Sequence, residues 1–133
     1  MQLDIYTDGG AINNPGPAAS AFVVFQGKKI VAQEKKSIGN TTNNIAEYTA
    51  VIMALEKLPS LINGQIKKII FYSDSKLMVN QLNGLYKVKA GHIREQIMKI
   101  RILEAKINPP IIYKNIPREK NEKADSLVKE ALQ

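Results

Sequence analysis

Four acidic side chains in this 133-residue chain occupy positions where solubility does not require an acid. Asp8 closes the strand-like segment 2–8 (QLDIYTD) and is followed at once by Gly9 and Gly10. Asp74 follows a second strand-like segment, 66–73 (IKKIIFYS). Glu47 lies in the first turn of a helical pattern, beside Val51, Ala54 and Leu58 at the edge of its apolar arc. Asp125 lies in the same way at the margin of a last helix, beside Val128 and Leu132. Each has an ordinary explanation: Asp8 as a turn residue, Asp74 as the cap of a helix opening at Ser75, Glu47 and Asp125 as capping-box or helix-dipole charges. None of these explanations predicts convergence. Topology does. If the two strands are parallel neighbours, Asp8 and Asp74 project from adjacent C-terminal ends, where open α/β sheets bind ligands. Helices that open on the same edge bring Glu47 and Asp125 alongside. Four carboxylates do not crowd together in ionised form without cations. An oxygen-only donor set suits Mg²⁺ or Mn²⁺ rather than zinc. Two such ions offset four negative charges and form the arrangement used for in-line attack at a phosphodiester.

The elements that must position these acids are read from periodicity and turn residues. Segments 2–8, 19–26 and 30–38 are strand-like, and Gly27-Lys28-Lys29 signals a hairpin between the second and third. Thr42-Asn43-Asn44 supplies cap candidates, Asn44 with Glu47 has a loose capping-box spacing, and apolar residues from Ile45 to Leu58 recur at helical spacing until Pro59. A strand over 66–73 is followed directly by a helix from about 75 to 82, ended by Asn83-Gly84. A longer helix is expected over 92–106, a short strand over 111–115, and a last helix over 122–132. The order βββαβααβα implies a five-stranded mixed α/β sheet, three antiparallel strands then two parallel ones, with helices on both faces.

Bulk properties agree with a chain that handles a polyanion. The length fits one domain over residues 1–133. Nineteen basic against twelve acidic residues leave a net charge of +7, which favours nucleic acid. There is no cysteine, hence no disulfide and no thiolate chemistry. No apolar run is long enough for a membrane span, and MQLDIYTDGG lacks a secretory pattern, so a cytoplasmic monomer is the simplest expectation. No Walker-type Gly-Lys-Ser/Thr run supports a nucleotide-hydrolysing alternative.

The pieces TDGGAINNPGPA (7–18), TTNNIAEYTAVIMALEKL (41–58), YSDSKLMVNQL (72–82) and NEKADSLVKEAL (121–132), in this order, resemble the type 1 ribonuclease H family. The resemblance implies a ribonuclease H-like fold, hydrolysis of the RNA strand of an RNA–DNA hybrid, and a metal-binding tetrad at Asp8, Glu47, Asp74 and Asp125. It sets Gly9, Gly10, Asn14, Thr42, Asn43 and Asn44 at the nucleic-acid surface, where bare backbone and polar side chains suit a minor groove lined with 2′-hydroxyls. The competing reading of the polar residues is turn and cap duty.

Two departures from the family stand out. The loop before the last helix, IPREKNEKAD, lacks the histidine many members carry, and Arg118 is the stand-in. An arginine cannot act as a base, but it can hold a phosphate or a departing product; the competing reading is a solvated loop charge. The segment Leu85–Gly91 is short and without Trp, where some relatives have a long basic protrusion. Lys87, Lys89 and Arg94 are the candidates for the DNA strand, against the ordinary reading of each as a solvated face, and weaker, more salt-sensitive binding is expected. His92, the only histidine, has no partner in sequence and is read as non-catalytic. Double-stranded RNA stays open as a second substrate. The alternative to an enzyme is a non-catalytic hybrid-binding module of the same fold.

Overall fold

The computed structural model describes residues 1–133. Its elements in chain order are β1 (Gln2–Ala11), β2 (Gly16–Gln26), β3 (Lys29–Thr41), α1 (Asn43–Lys57), β4 (Lys68–Ser73), α2 (Lys76–Leu82), α3 (Gly91–Glu104), β5 (Ile111–Asn115) and α4 (Glu122–Ala131), with single 3-10 turns at Leu58–Ser60 and Arg118–Lys120. The sheet order is β3-β2-β1-β4-β5. β1 is antiparallel to β2 and parallel to β4, β2 is antiparallel to β3, and β4 is parallel to β5. The mixed five-stranded sheet is the one expected. Strand order reverses between β1 and β4, which makes their C-terminal ends the switch point.

The first three strands run longer than local composition implied. β1 does not stop at Asp8 but continues through Gly9 and Gly10 to Ala11, pairing Asp8 with Ala21 and Ala11 with Ala18. The glycines are ladder residues because the chain reverses later, across Ile12–Pro15. The two-residue turn Gly27-Lys28 joins β2 to β3, and Gly27 supplies the positive φ (62°) such a turn needs.

Alternation along the strands divides the side chains between two faces. Leu3, Ile5, Phe22, Val24, Ile69 and Phe71 meet the buried sides of α1, α2 and α3 in one core cluster. On the opposite face α4 packs alone, with Val128 against Ala19 and Ala21. Asp8 pairs with Ala21 and so belongs to the α4 face. No helix is long and apolar enough to cross a membrane.

One contact sets how closely α1 approaches the sheet. A Cβ on Gly9 would overlap the Ala46 carbonyl and the Glu47 amide, so helix backbone rests directly on strand backbone. Beside it, the buried Ser20 hydroxyl donates to the Ala46 carbonyl at 2.6 Å. The residue opposite Gly9 on β2 is that same Ser20. Gly10 is different: its nearest neighbours to an added Cβ are at 3.8 Å and 3.9 Å, ordinary contact distance. Gly9→Ala is therefore expected to lower stability by about 2 kcal/mol through overpacking. Gly10→Ala should change it by less than about 0.5 kcal/mol. Urea unfolding midpoints of the two variants check the contrast, and equal midpoints would refute the contact's importance.

Candidate active site

The parallel pairing of β1 and β4 runs from Gln2↔Lys68 to Tyr6↔Tyr72. Continuing that register by two residues sets Asp8 beside Asp74, just where β4 ends at Ser73 and the strands separate. Asp8 is thus mid-strand with respect to β2 and at a strand end only with respect to β4. Asp74 is not the cap of α2. That role belongs to Ser75, whose hydroxyl accepts from the Met78 amide at 3.3 Å.

Glu47 also sits differently from its capping-box reading. The cap of α1 is Thr42, whose side chain accepts from the Ile45 amide at 3.2 Å, and Ile45 occupies the position three residues on. Glu47 falls in the second turn, and it is brought to the sheet by the Gly9 contact. Asp125 lies in the first turn of α4, and its amide donates to the Asn121 carbonyl at 3.1 Å. All four acids line one cleft of about 310 Å³, together with Arg118, Gly9, Gly10 and Asn43. No three acids are drawn into a ready-made metal cage. They share the cleft at electrostatic range instead.

That range is short enough to perturb ionisation. Burial, then Asp74, Asp125 and Glu47, push the Asp8 carboxyl up to about 8 from 3.8, against a backbone hydrogen bond at Gly9. Burial and Asp74 push Glu47 up to about 7, while Ser75 and the Arg118 guanidinium pull it back. Lys129 pairs with Asp125 at 2.9 Å, but the lysine is well exposed and the pair is worth little. The cleft therefore carries more negative charge than its cationic neighbours offset. A set of carboxylate oxygens with unmet negative charge fits a hard divalent cation.

Other expected residues have structural work to do. Asn14 Oδ1 accepts from the Asn43 amide at 2.8 Å, and Asn43 Oδ1 accepts from the Ala11 amide at 2.6 Å. These bonds and the Thr42 cap knit the start of α1 to the β1–β2 hairpin, so the cap-and-turn reading holds for all three. The side-chain NH₂ groups of Asn14 and Asn43 keep no protein partner. Asn44 Oδ1 is buried without one. Gly9 lines the cleft, but its missing Cβ accommodates α1, which leaves Gly10 as the glycine with open backbone. Lys87, Lys89 and Arg94 lie outside the cleft on the exposed surface, and Arg94 Nε donates to the Val88 carbonyl at 2.8 Å, clipping its own segment. His92 is exposed near the start of α3 and does not line the cleft. Sequence reasoning missed Ser75, Lys129 and Asn121. Lys129 was signalled by its four-residue spacing from Asp125; Asn121 was signalled by its place directly before α4.

The raised carboxyls have a consequence for stability. Between the unfolded value of 3.8 and about 8, Asp8 binds its proton more tightly in the folded chain. The native state then holds more protons than the unfolded one, so stability falls as pH rises through that window. Asp8→Asn removes the penalty. Without divalent ions, Tm at pH 8 should rise by about 3–8 °C, a gain of ~1–2 kcal/mol after screening by water in the cleft, and the gain should vanish near pH 4. A variant less stable than wild type at pH 8, measured by thermal melts in EDTA, would contradict the electrostatic account.

Comparison with known proteins agrees with this geometry. Residues 6–131 match the Reverse transcriptase-like family. The chain is 34% identical over 134 residues to a bifunctional protein of Mycobacterium tuberculosis, covering 99% of this chain and 36% of that protein. It is 38% identical over 132 residues to ribonuclease HI of Halobacterium salinarum, covering 98% of this chain and 64% of that enzyme. It thus spans only about a third to two thirds of the length of these curated relatives. Among solved structures, LC11-RNase H1 in complex with an RNA/DNA hybrid superposes with a TM-score of 0.92 at 40% identity, covering 98% of this chain and 96% of that one. With the family match, these likenesses and the βββαβααβα sheet in agreement, the chain belongs to the type 1 ribonuclease H family.

Proposed function

We propose that this chain is an endonuclease that hydrolyses the RNA strand of RNA–DNA hybrids, with Asp8, Glu47, Asp74 and Asp125 as metal-binding catalytic residues. The observation that carries the proposal is the single cleft lined by four carboxylates in a chain of net charge +7. The hybrid as substrate follows from the relatives, one of which was solved with that ligand bound. Ribonucleases H depend on divalent metal ions in general. Bound in this cleft, two Mg²⁺ or Mn²⁺ ions would supply electrophilic stabilisation of the attacking and leaving oxygens of the phosphodiester.

The chain's own residues do the rest. Asp8 and Glu47 hold protons unusually tightly and would have to give them up to hold the cations, so cation affinity would increase with pH. The Arg118 guanidinium, which lines the cleft, holds a phosphate oxygen or the leaving product. The free amide NH₂ groups of Asn14 and Asn43, with the Gly10 backbone, face the sugar edges of the RNA strand. Lys87, Lys89 and Arg94 serve the DNA strand by charge. Residues 1–133 act as one domain and as a monomer.

Cleavage of a labelled hybrid with Mg²⁺ or Mn²⁺, against EDTA, tests the reading. Asp8→Asn and Asp74→Asn should each lower kcat at least about 100-fold, equivalent to ~3 kcal/mol of barrier. Wild-type-like cleavage by either variant sinks the mechanism. Binding without cleavage in both metals would leave a hybrid-binding module instead. Double-stranded and single-stranded RNA in the same assay define substrate range. Replacing Lys87 and Lys89 together by Ala should reduce the slope of log K against log salt by about 1.5. An unchanged slope would remove both lysines from the interface.

A further inference from the structure

Asn121 sits at the N-cap of α4 but does not cap it: its side chain makes no bond to the helix amides, in contrast to Thr42 on α1 and Ser75 on α2. Asparagine there ordinarily contributes about 1 kcal/mol by capping. Here the side chain is 1% exposed, and its Nδ2 donates to the Thr7 carbonyl at 2.9 Å. Thr7 is the first residue of β1 beyond its pairing with β4 and immediately precedes Asp8. The Asn121 amide thus takes the place of a strand neighbour at the point where β1 and β4 part. Its main chain is tied as well. The Asn121 amide donates to the Arg118 carbonyl at 2.9 Å, and its own carbonyl accepts from the Asp125 amide at 3.1 Å. Its Oδ1 is buried with no partner, a cost accepted at this position.

We propose that Asn121 is a positioning residue for the carboxylate cleft. It couples β1, through Thr7, to the helix turn that carries Asp125 and to the loop that carries Arg118, and so sets Asp125 against Asp8. The proposal rests on the ribonuclease reading above. The same bridge explains how α4, alone on its face of the sheet, is held in register with acids delivered by β1 and β4. Without it, the α4 N-terminus would be tied to the strand ends by the connecting segment 116–121, whose Ile116 amide donates to the Ser73 carbonyl at 2.9 Å.

The test compares wild type with Asn121→Ala, which deletes the bridge, and Asn121→Asp, which keeps the shape but removes the donor. kcat and KM for the hybrid are measured, with the Mg²⁺ concentration for half-maximal cleavage and the Mg²⁺-induced rise in Tm without nucleic acid. Both variants should fold, lose about 10-fold in kcat with KM within about twofold of wild type, and need about 10-fold more Mg²⁺. The Tm rise at fixed Mg²⁺ should shrink. A folded variant with wild-type kcat and Mg²⁺ midpoint overturns the proposal. So does failure of both variants to fold, which would make the residue a structural strut. If wild type does not cut the hybrid with either metal, the ribonuclease reading fails first. The Mg²⁺-induced Tm shift then decides alone whether Asn121 governs cation binding.

Discussion

Backbone-to-backbone contact between β1 and α1 at Gly9 is the constraint on which the site depends. A helix normally stands off a sheet by the length of its side chains. Here the absence of one Cβ lets the Ala46 peptide rest on the strand, and the Ser20 hydroxyl, buried beside it, satisfies the Ala46 carbonyl. Glu47 is the next residue. Its carboxylate shares the cleft with the acids of β1 and β4 because the missing Cβ lets the helix come this close. The two asparagines that hold the start of α1 against the hairpin, Asn14 and Asn43, act on the same few residues from the other side. Close packing and hydrogen bonding thus fix a side chain that electrostatics alone would drive away.

The repulsion they contain is substantial. Asp8 and Glu47 are both displaced toward neutral pH, first by burial and then by like charge, and Arg118 and Lys129 offset only part of it. A cluster of this kind is stable only if the scaffold around it is over-determined. The core supplies that. Leu3, Ile5, Phe22, Phe71, Tyr48 and Leu55 are almost completely buried within one cluster beneath the strand ends. Basic residues such as Lys87 and Lys89 lie on exposed surface outside the acidic cleft.

Several polar residues near the cleft use only one end of the side chain within the protein. Asn14 and Asn43 use their carbonyl oxygens to fold the chain and leave their NH₂ groups free. Asn121 does the reverse, spending its NH₂ on Thr7 and leaving its oxygen unpaired. Turn and cap duty and a role at the nucleic-acid surface are therefore compatible for Asn14 and Asn43, because an amide has separate donor and acceptor faces.

Element type and order were legible in the sequence because hydrophobic period and turn residues are local signals: Ile111–Asn115 was readable to the residue, and Pro59 and Asn83-Gly84 marked where the first two helices end. That Asp8, Glu47, Asp74 and Asp125 could share one cleft was legible from two strand ends and from the margins of two apolar arcs. Three things were not. Asp8-Gly9-Gly10 looks like a turn, yet it is strand, since the reversal is decided by pairing with β2 across the sheet. Thr42 rather than Asn44 caps α1, because the helix already begins at Asn43 and Asn44 lies inside its first turn. The bond from Asn121 to Thr7 spans 114 residues and leaves no periodic trace. The amino-acid order by itself determined which groups are present and which local shape each segment prefers. Only the tertiary structure decided which groups meet, because convergence at a sheet edge depends on register and on close backbone approach, and both are set by contacts between segments far apart in the chain.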